Sequence, residues 1–209
     1  MRGLGGMLLS AWAKPMACLL GLLPCAFLVH GALLEQLGPN PAEALIRSTG
    51  EWTLRFLCLA LAVTPLRVMA GVPTLARFRR TLGLLVYFYA VLHLLSYCGF
   101  DMGLEWMEIA RDIWKRPFIL VGFLAFVLLT ALALTSFDRA IRALGARRWQ
   151  ALHRAVYAVA ALGVLHFFWM RSGKNDFVEV LVYAAILGGL LTWRVQRRLR
   201  SAIRPVRAG

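Results

Sequence analysis

Six stretches of the chain, approximately residues 15–34, 52–70, 81–100, 117–136, 150–170 and 177–194, are each long and apolar enough to cross a lipid bilayer. A spanning helix needs roughly 20 mostly apolar residues, because it must cover the hydrocarbon thickness at its fixed rise per residue. Composition agrees: 60% of the chain is hydrophobic and 16% charged, so water is not its main solvent. No stretch is long or polar enough to form a separate soluble domain. Residues 1–209 therefore read as one all-α transmembrane domain, a polytopic bundle of six helices.

A net charge of +14 raises the question of nucleic acid, but the basic residues sit in short clusters between apolar runs and form no continuous polar face, so no nucleic-acid partner is expected. Their distribution reads instead as topology. Arg67, Arg77, Arg79 and Arg80 occupy the second-to-third connection, and Arg139, Arg142, Arg147 and Arg148 face Asp138 in the fourth-to-fifth. The tail adds Arg194, Arg197, Arg198, Arg200, Arg204 and Arg207. Nine of the ten acids fall on the other side, from Glu35, Glu43 and Glu51 through Asp101, Glu105, Glu108 and Asp112 to Asp176 and Glu179. Because short loops rich in Lys and Arg are retained in the cytoplasm, both termini are expected inside.

The four cysteines, Cys18, Cys25, Cys58 and Cys98, form neither C-x-x-C nor C-x-x-C-H, which removes covalent haem attachment and the usual zinc spacings. The four histidines, His30, His93, His153 and His166, all fall within or at the edge of spans. Ionisable groups in lipid are costly and face the protein interior with a partner. His153 and His166 share the fifth span thirteen residues apart, or roughly 20 Å along the axis, so one lies near each membrane face. His93 lies roughly 18 Å into the third span and His166 roughly 24 Å into the fifth, a mismatch that tilt absorbs. These two are expected to face each other in the outer half of the bilayer. Two neutral imidazoles from facing helices suit the axial positions of haem iron, whereas zinc would need further ligands at the same depth.

His153 would serve the inner half, where Arg79, Arg80, Arg147, Arg148 and Arg154 could meet haem carboxylates or merely act as retention signals. His30 has no partner and reads as an interfacial side chain. Ala90-Val91-Leu92-His93 is echoed by Gly163-Val164-Leu165-His166, placing a small residue three before each histidine and so on its face. Trp149 and Trp169, at the two ends of the fifth span, read as interfacial belt residues. Arg55, one turn inside the second span, is expected to snorkel or to meet an anionic headgroup or cofactor.

Several ordered motifs resemble the MsrQ family, formerly YedZ: Thr49-Gly50, Leu61-Ala62-Val63-Thr64-Pro65-Leu66, Arg79-Arg80-Thr81-Leu82-Gly83-Leu84 leading to Leu92-His93, Lys115-Arg116-Pro117-Phe118, and Arg148-Trp149-Gln150-Ala151-Leu152-His153-Arg154-Ala155-Val156-Tyr157. The resemblance covers roughly residues 48–170. It implies a ferric-reductase-like membrane subunit of a periplasmic protein-methionine-sulfoxide reductase system, in the bacterial inner membrane, with haem b and FMN. It further implies electrons taken from quinol or a cytosolic flavin reductase and passed to a periplasmic molybdopterin-containing subunit. The family's histidine ligands fall on His93, His153 and His166, all haem-iron ligands; no residue here matches an FMN motif. One departure concerns the third span, which carries a single histidine and has Arg80 thirteen residues before it. Relatives with two stacked haems often carry two histidines on each of two helices.

The expected activity is thus electron relay, not bond chemistry. A stand-alone metalloreductase would normally need an appended flavin and nicotinamide domain, for which the tail after Trp193 has no room. A cofactor-free transporter or scaffold, with the histidines relaying protons, is the other reading.

Overall fold

The computed structural model describes residues 8–173 and 175–203, so Arg204 and Arg207 of the expected basic tail lie outside the described residues. Helices α1 (Ala13–Leu33), α2 (Pro41–Met69), α3 (Arg79–Ser96), α4 (Trp106–Lys115), α5 (Pro117–Leu134), α6 (Asp138–His153), α7 (Val156–Ser172) and α8 (Val178–Ile203) follow in order. A 3-10 turn, Pro73–Phe78, leads into α3, and a π turn, Tyr97–Asp101, extends it. Among the described residues six helices are long and apolar enough to span a membrane, α6 and α7 together making the fifth. Successive spans alternate in direction. One end of the bundle therefore gathers the acidic connections and the other, with the start of α1 and the end of α8, the basic ones.

Three expected boundaries move, each for a local reason. The second span starts at Pro41, not near residue 52, because Asn40 accepts a hydrogen bond from the Glu43 N–H at 3.1 Å and Pro41 takes the first helical position. Glu43, Arg47 and Glu51 hid this turn from a reading by hydropathy; they lie on a polar rim where Arg47 pairs with Glu51 at 3.0 Å. The fifth span is broken between His153 and Val156, where Ala155 N–H bonds the Leu152 carbonyl three residues back at 2.9 Å. The last helix runs on to Ile203 past the expected end at 194, carrying its arginines on helical turns.

α3 is central. Leu85, Val86, Tyr89 and Ala90 pack against Phe56, Leu57 and Leu61 of α2, Leu129 and Leu132 of α5, Val159 and Ala160 of α7 and Leu187 of α8. Tyr89, with no exposed surface, also ties down α1. Its hydroxyl accepts from Cys25 N–H at 3.0 Å and donates to the Gly21 carbonyl at 2.8 Å, inserting itself into the helical ladder beside Pro24.

Helix α4 lies at the acidic end. Its entry turns through Gly103 and Leu104, both with positive φ, and Ile109 is its buried residue while Trp106 and Trp114 face outward. Asp112 anchors it, accepting from the Tyr97 hydroxyl at 2.5 Å and from the Arg116 guanidinium through both carboxylate oxygens. Burial pushes the Asp112 carboxyl up, but the Arg116 and Tyr97 hydrogen bonds outweigh it and hold the carboxyl below the usual range.

Candidate functional site

The structure brings His93 and His166 together: their ring centroids lie 6.2 Å apart, with the ring planes crossed at 79°. The helix lengths left a depth mismatch open. It closes because α3 starts at Arg79, two residues earlier than expected, and α6 and α7 meet at a break within the fifth span.

Each ring is held in the same way. His93 Nδ1 lies 2.8 Å from the carbonyl oxygen of Ile46 on α2, and His166 Nδ1 lies 2.7 Å from that of Phe118 on α5. A carbonyl can only accept, so in both rings Nδ1 carries the proton and Nε2 keeps a bare lone pair. In a helix that carbonyl already accepts from the N–H four residues on. The residue four on is Gly50 in one case and Gly122 in the other. Without a side chain there, the imidazole edge reaches the second lone pair. A Cβ at Gly50 would stand 3.1 Å from His93 Nδ1, and one at Gly122 would stand 2.8 Å from His166 Nδ1. The arrangement is a twofold repetition, α2 with α3 and α5 with α7. The intervals from carbonyl to histidine are nearly equal, 47 and 48 residues.

Sequence reasoning noticed the small residues three before each histidine but missed these two glycines, which approach from neighbouring helices. The near-equal intervals from Gly50 to His93 and from Gly122 to His166 were the signal that could have found them.

His153 stands apart at the basic end. Its Nδ1 faces the Trp149 carbonyl of its own helix at 3.1 Å, its Nε2 lies 3.5 Å from the Ser136 hydroxyl, and the Trp149 ring stacks on it at 3.9 Å. No second histidine joins it. Trp149, expected as a belt residue, donates from Nε1 to the Thr135 carbonyl at 2.8 Å, locking α6 to the end of α5. His30 is exposed on α1. Arg80 donates to Asp138 at 2.7 Å.

Arg55 donates to Glu51 at 2.9 Å and its guanidinium lies 4.6 Å from the Trp52 ring centre. Glu51, next to Gly50, belongs to a charge network at the acidic end. There the buried Arg171 donates to Asp176 at 3.1 Å and to Glu179 at 2.5 Å, and Arg47 reaches Glu179 at 3.4 Å. These pairs clamp α2, α7 and α8 around the histidine pair. Among the described residues no three His, Cys, Asp or Glu side chains converge, so the pair offers two donors and no more.

Against this geometry, the model of the ferric reductase like transmembrane component matches residues 49–164, which include His93 and His153, with His166 two residues past the end of the match. The chain is 64% identical to the protein-methionine-sulfoxide reductase heme-binding subunit MsrQ of Polaromonas naphthalenivorans (strain CJ2), over 95% of this chain and 91% of that one. It is 52% identical to the MsrQ of Azospira oryzae (strain ATCC BAA-33 / DSM 13638 / PS), over 87% and 78%, and 48% identical to that of Herminiimonas arsenicoxydans, over 87% and 84%. No solved structure matches.

Proposed function

The chain belongs to the MsrQ family of ferric-reductase-like membrane subunits, and from that premise we propose that it holds a b-type haem between His93 and His166 and relays electrons across the bacterial inner membrane. The single observation that carries this is the histidine pair. A metal–imidazole bond of about 2 Å, plus the roughly 1 Å from ring centre to nitrogen, puts two imidazoles on opposite sides of one metal about 6 Å apart, centre to centre. The observed 6.2 Å matches that span. Two donors suffice, because a porphyrin supplies the other four nitrogens. Bound there, haem supplies one-electron redox chemistry.

The chain's own residues do the rest. The Ile46 and Phe118 carbonyls fix the tautomer, directing the bare Nε2 of each ring away from the helix that holds it. The Arg171 and Glu51 network stiffens the acidic end against solvent entry. His153 is a weaker ligand candidate for a second, inner group, since no second histidine stands beside it.

The positive-inside bias places the basic end in the cytoplasm, giving both termini inside and the histidine pair toward the periplasm. Electrons would enter from quinol or a cytosolic flavin reductase, with FMN as a second carrier as the resemblance implies. They would leave to a periplasmic molybdopterin-containing subunit that repairs methionine sulfoxide in oxidised proteins. Cofactor extraction tests this reading. Full-length protein from haem-replete cells should show a Soret band, dithionite-sensitive b-type bands and at least one haem per chain. Colourless protein would turn the account toward a cofactor-free transporter or scaffold.

A further inference from the structure

At the basic end, guanidiniums from two helices meet on one hydroxyl, with a third arginine near them. Pro65 has no N–H, so the Leu61 carbonyl lacks its helical donor. Arg194 of α8 fills the gap, its Nη2 donating to Leu61 O at 2.6 Å and to Thr64 Oγ1 at 3.0 Å. Arg79, at the start of α3, donates to the same Thr64 oxygen at 3.0 Å. Arg67 and Arg194 both lie close enough to repel Arg79. The Arg194 guanidinium also sits 5.5 Å from the Tyr157 ring centre, and Arg198 6.0 Å from it.

Three features of the cluster are unsatisfied. Like charges brought together repel unless an anion intervenes, yet nine of the ten acids lie at the other end and Asp138 is taken by Arg80. Arg194 Nη1 is buried without a hydrogen-bond partner among the described residues. Thr49, Thr53, Thr130 and Thr135 each donate their hydroxyl back to their own helix, whereas Thr64 receives two N–H groups and donates to no described acceptor. Retention in the cytoplasm requires only that arginines lie in the loops. It does not draw them onto one hydroxyl.

We propose that Arg79, Arg194 and Thr64, with Arg67 nearby, form a binding site for a phosphate ester presented from the basic face. Several positive charges, forked N–H donors and a free hydroxyl proton suit a tetrahedral, multiply charged group better than a single carboxylate. The exposed edge is Arg79, so the ligand enters beside the start of α3. The phosphate is either the headgroup of an anionic lipid in that leaflet or part of a soluble phosphorylated molecule.

The test uses the full chain, purified with its cofactors in phosphate-free detergent and stripped of lipid by exchange. It is titrated separately with dioctanoyl phosphatidylglycerol and with inorganic phosphate. Saturable binding is expected, weakened roughly tenfold to a hundredfold in Arg79→Gln and in Thr64→Val, the loss that follows removal of a donor to a charged group. Arg79 is exposed and Thr64→Val keeps volume, so circular dichroism should match the parent. Binding of lipid alone assigns the site to a headgroup; binding of phosphate assigns it to a soluble ester. Binding of neither, or equal binding by parent and variants, overturns the proposal. A fall in haem content in Arg79→Gln also overturns it, since the cluster would then serve a haem carboxylate.

Discussion

The two histidine regions of this bundle differ in what holds the ring. At the acidic end, His93 and His166 are each gripped from a neighbouring helix, by a carbonyl whose second lone pair a glycine leaves open. At the basic end, His153 turns its Nδ1 to its own helix, is covered by Trp149 and has Ser136 beside Nε2. The first arrangement leaves Nε2 unused on two rings whose centres lie 6.2 Å apart; the second holds a single ring under Trp149 with no other histidine beside it. A histidine in a membrane span therefore does not identify a ligand by itself. What separates the two is whether a second imidazole stands opposite the first.

The largest effect that would break this contrast is at the ligands. His93→Ala and His166→Ala should each abolish the low-spin haem signal of the purified protein, while His153→Ala should leave that signal in place. Equal loss from all three would erase the distinction. A smaller effect should come from the glycines. Gly122→Ala places a methyl 2.8 Å from the His166 ring, against 3.1 Å for Gly50→Ala and His93. Overpacking of this kind costs about 1–3 kcal/mol, so haem content should fall in both variants and further in Gly122→Ala.

Smaller still is the anchor of α4. The Asp112 carboxyl is held below its usual range, so its contribution is present above its unfolded value of about 3.9 and fades as pH falls through the lower folded value. Hydrogen exchange in α4 should accelerate in that acid window. Asp112→Asn should show the faster exchange already at neutral pH, with the acid-induced rise gone. The least effect is expected at His30: His30→Ala on the exposed face of α1 should leave the visible spectrum unchanged.

Much of the architecture was legible in the sequence, because lipid imposes length and hydropathy on a span. The meeting of His93 with His166 followed from counting residues along two helices. Other features depend on contacts between helices, which no single span records. Gly50 stood in the sequence only as part of a motif ahead of the expected second span, and Gly122 drew no notice, because their role is visible only with the opposing imidazoles in place. The position of Trp149 on a helix end does not reveal that Thr135 offers it a carbonyl. The early start of α2 was written in Asn40-Pro41, but three charged residues in its first turns masked it from a hydropathy criterion. Arg55 found its partner one turn away in Glu51, a local pair that the cost of charge in lipid should have suggested first.

The most direct test of the paired-ligand account is the low-temperature electron paramagnetic resonance spectrum of the oxidised wild-type protein. Two imidazoles crossed at 79° should give a highly anisotropic low-spin ferric signal. A purely high-spin signal, or a low-spin signal that persists undiminished in His93→Ala, would contradict it.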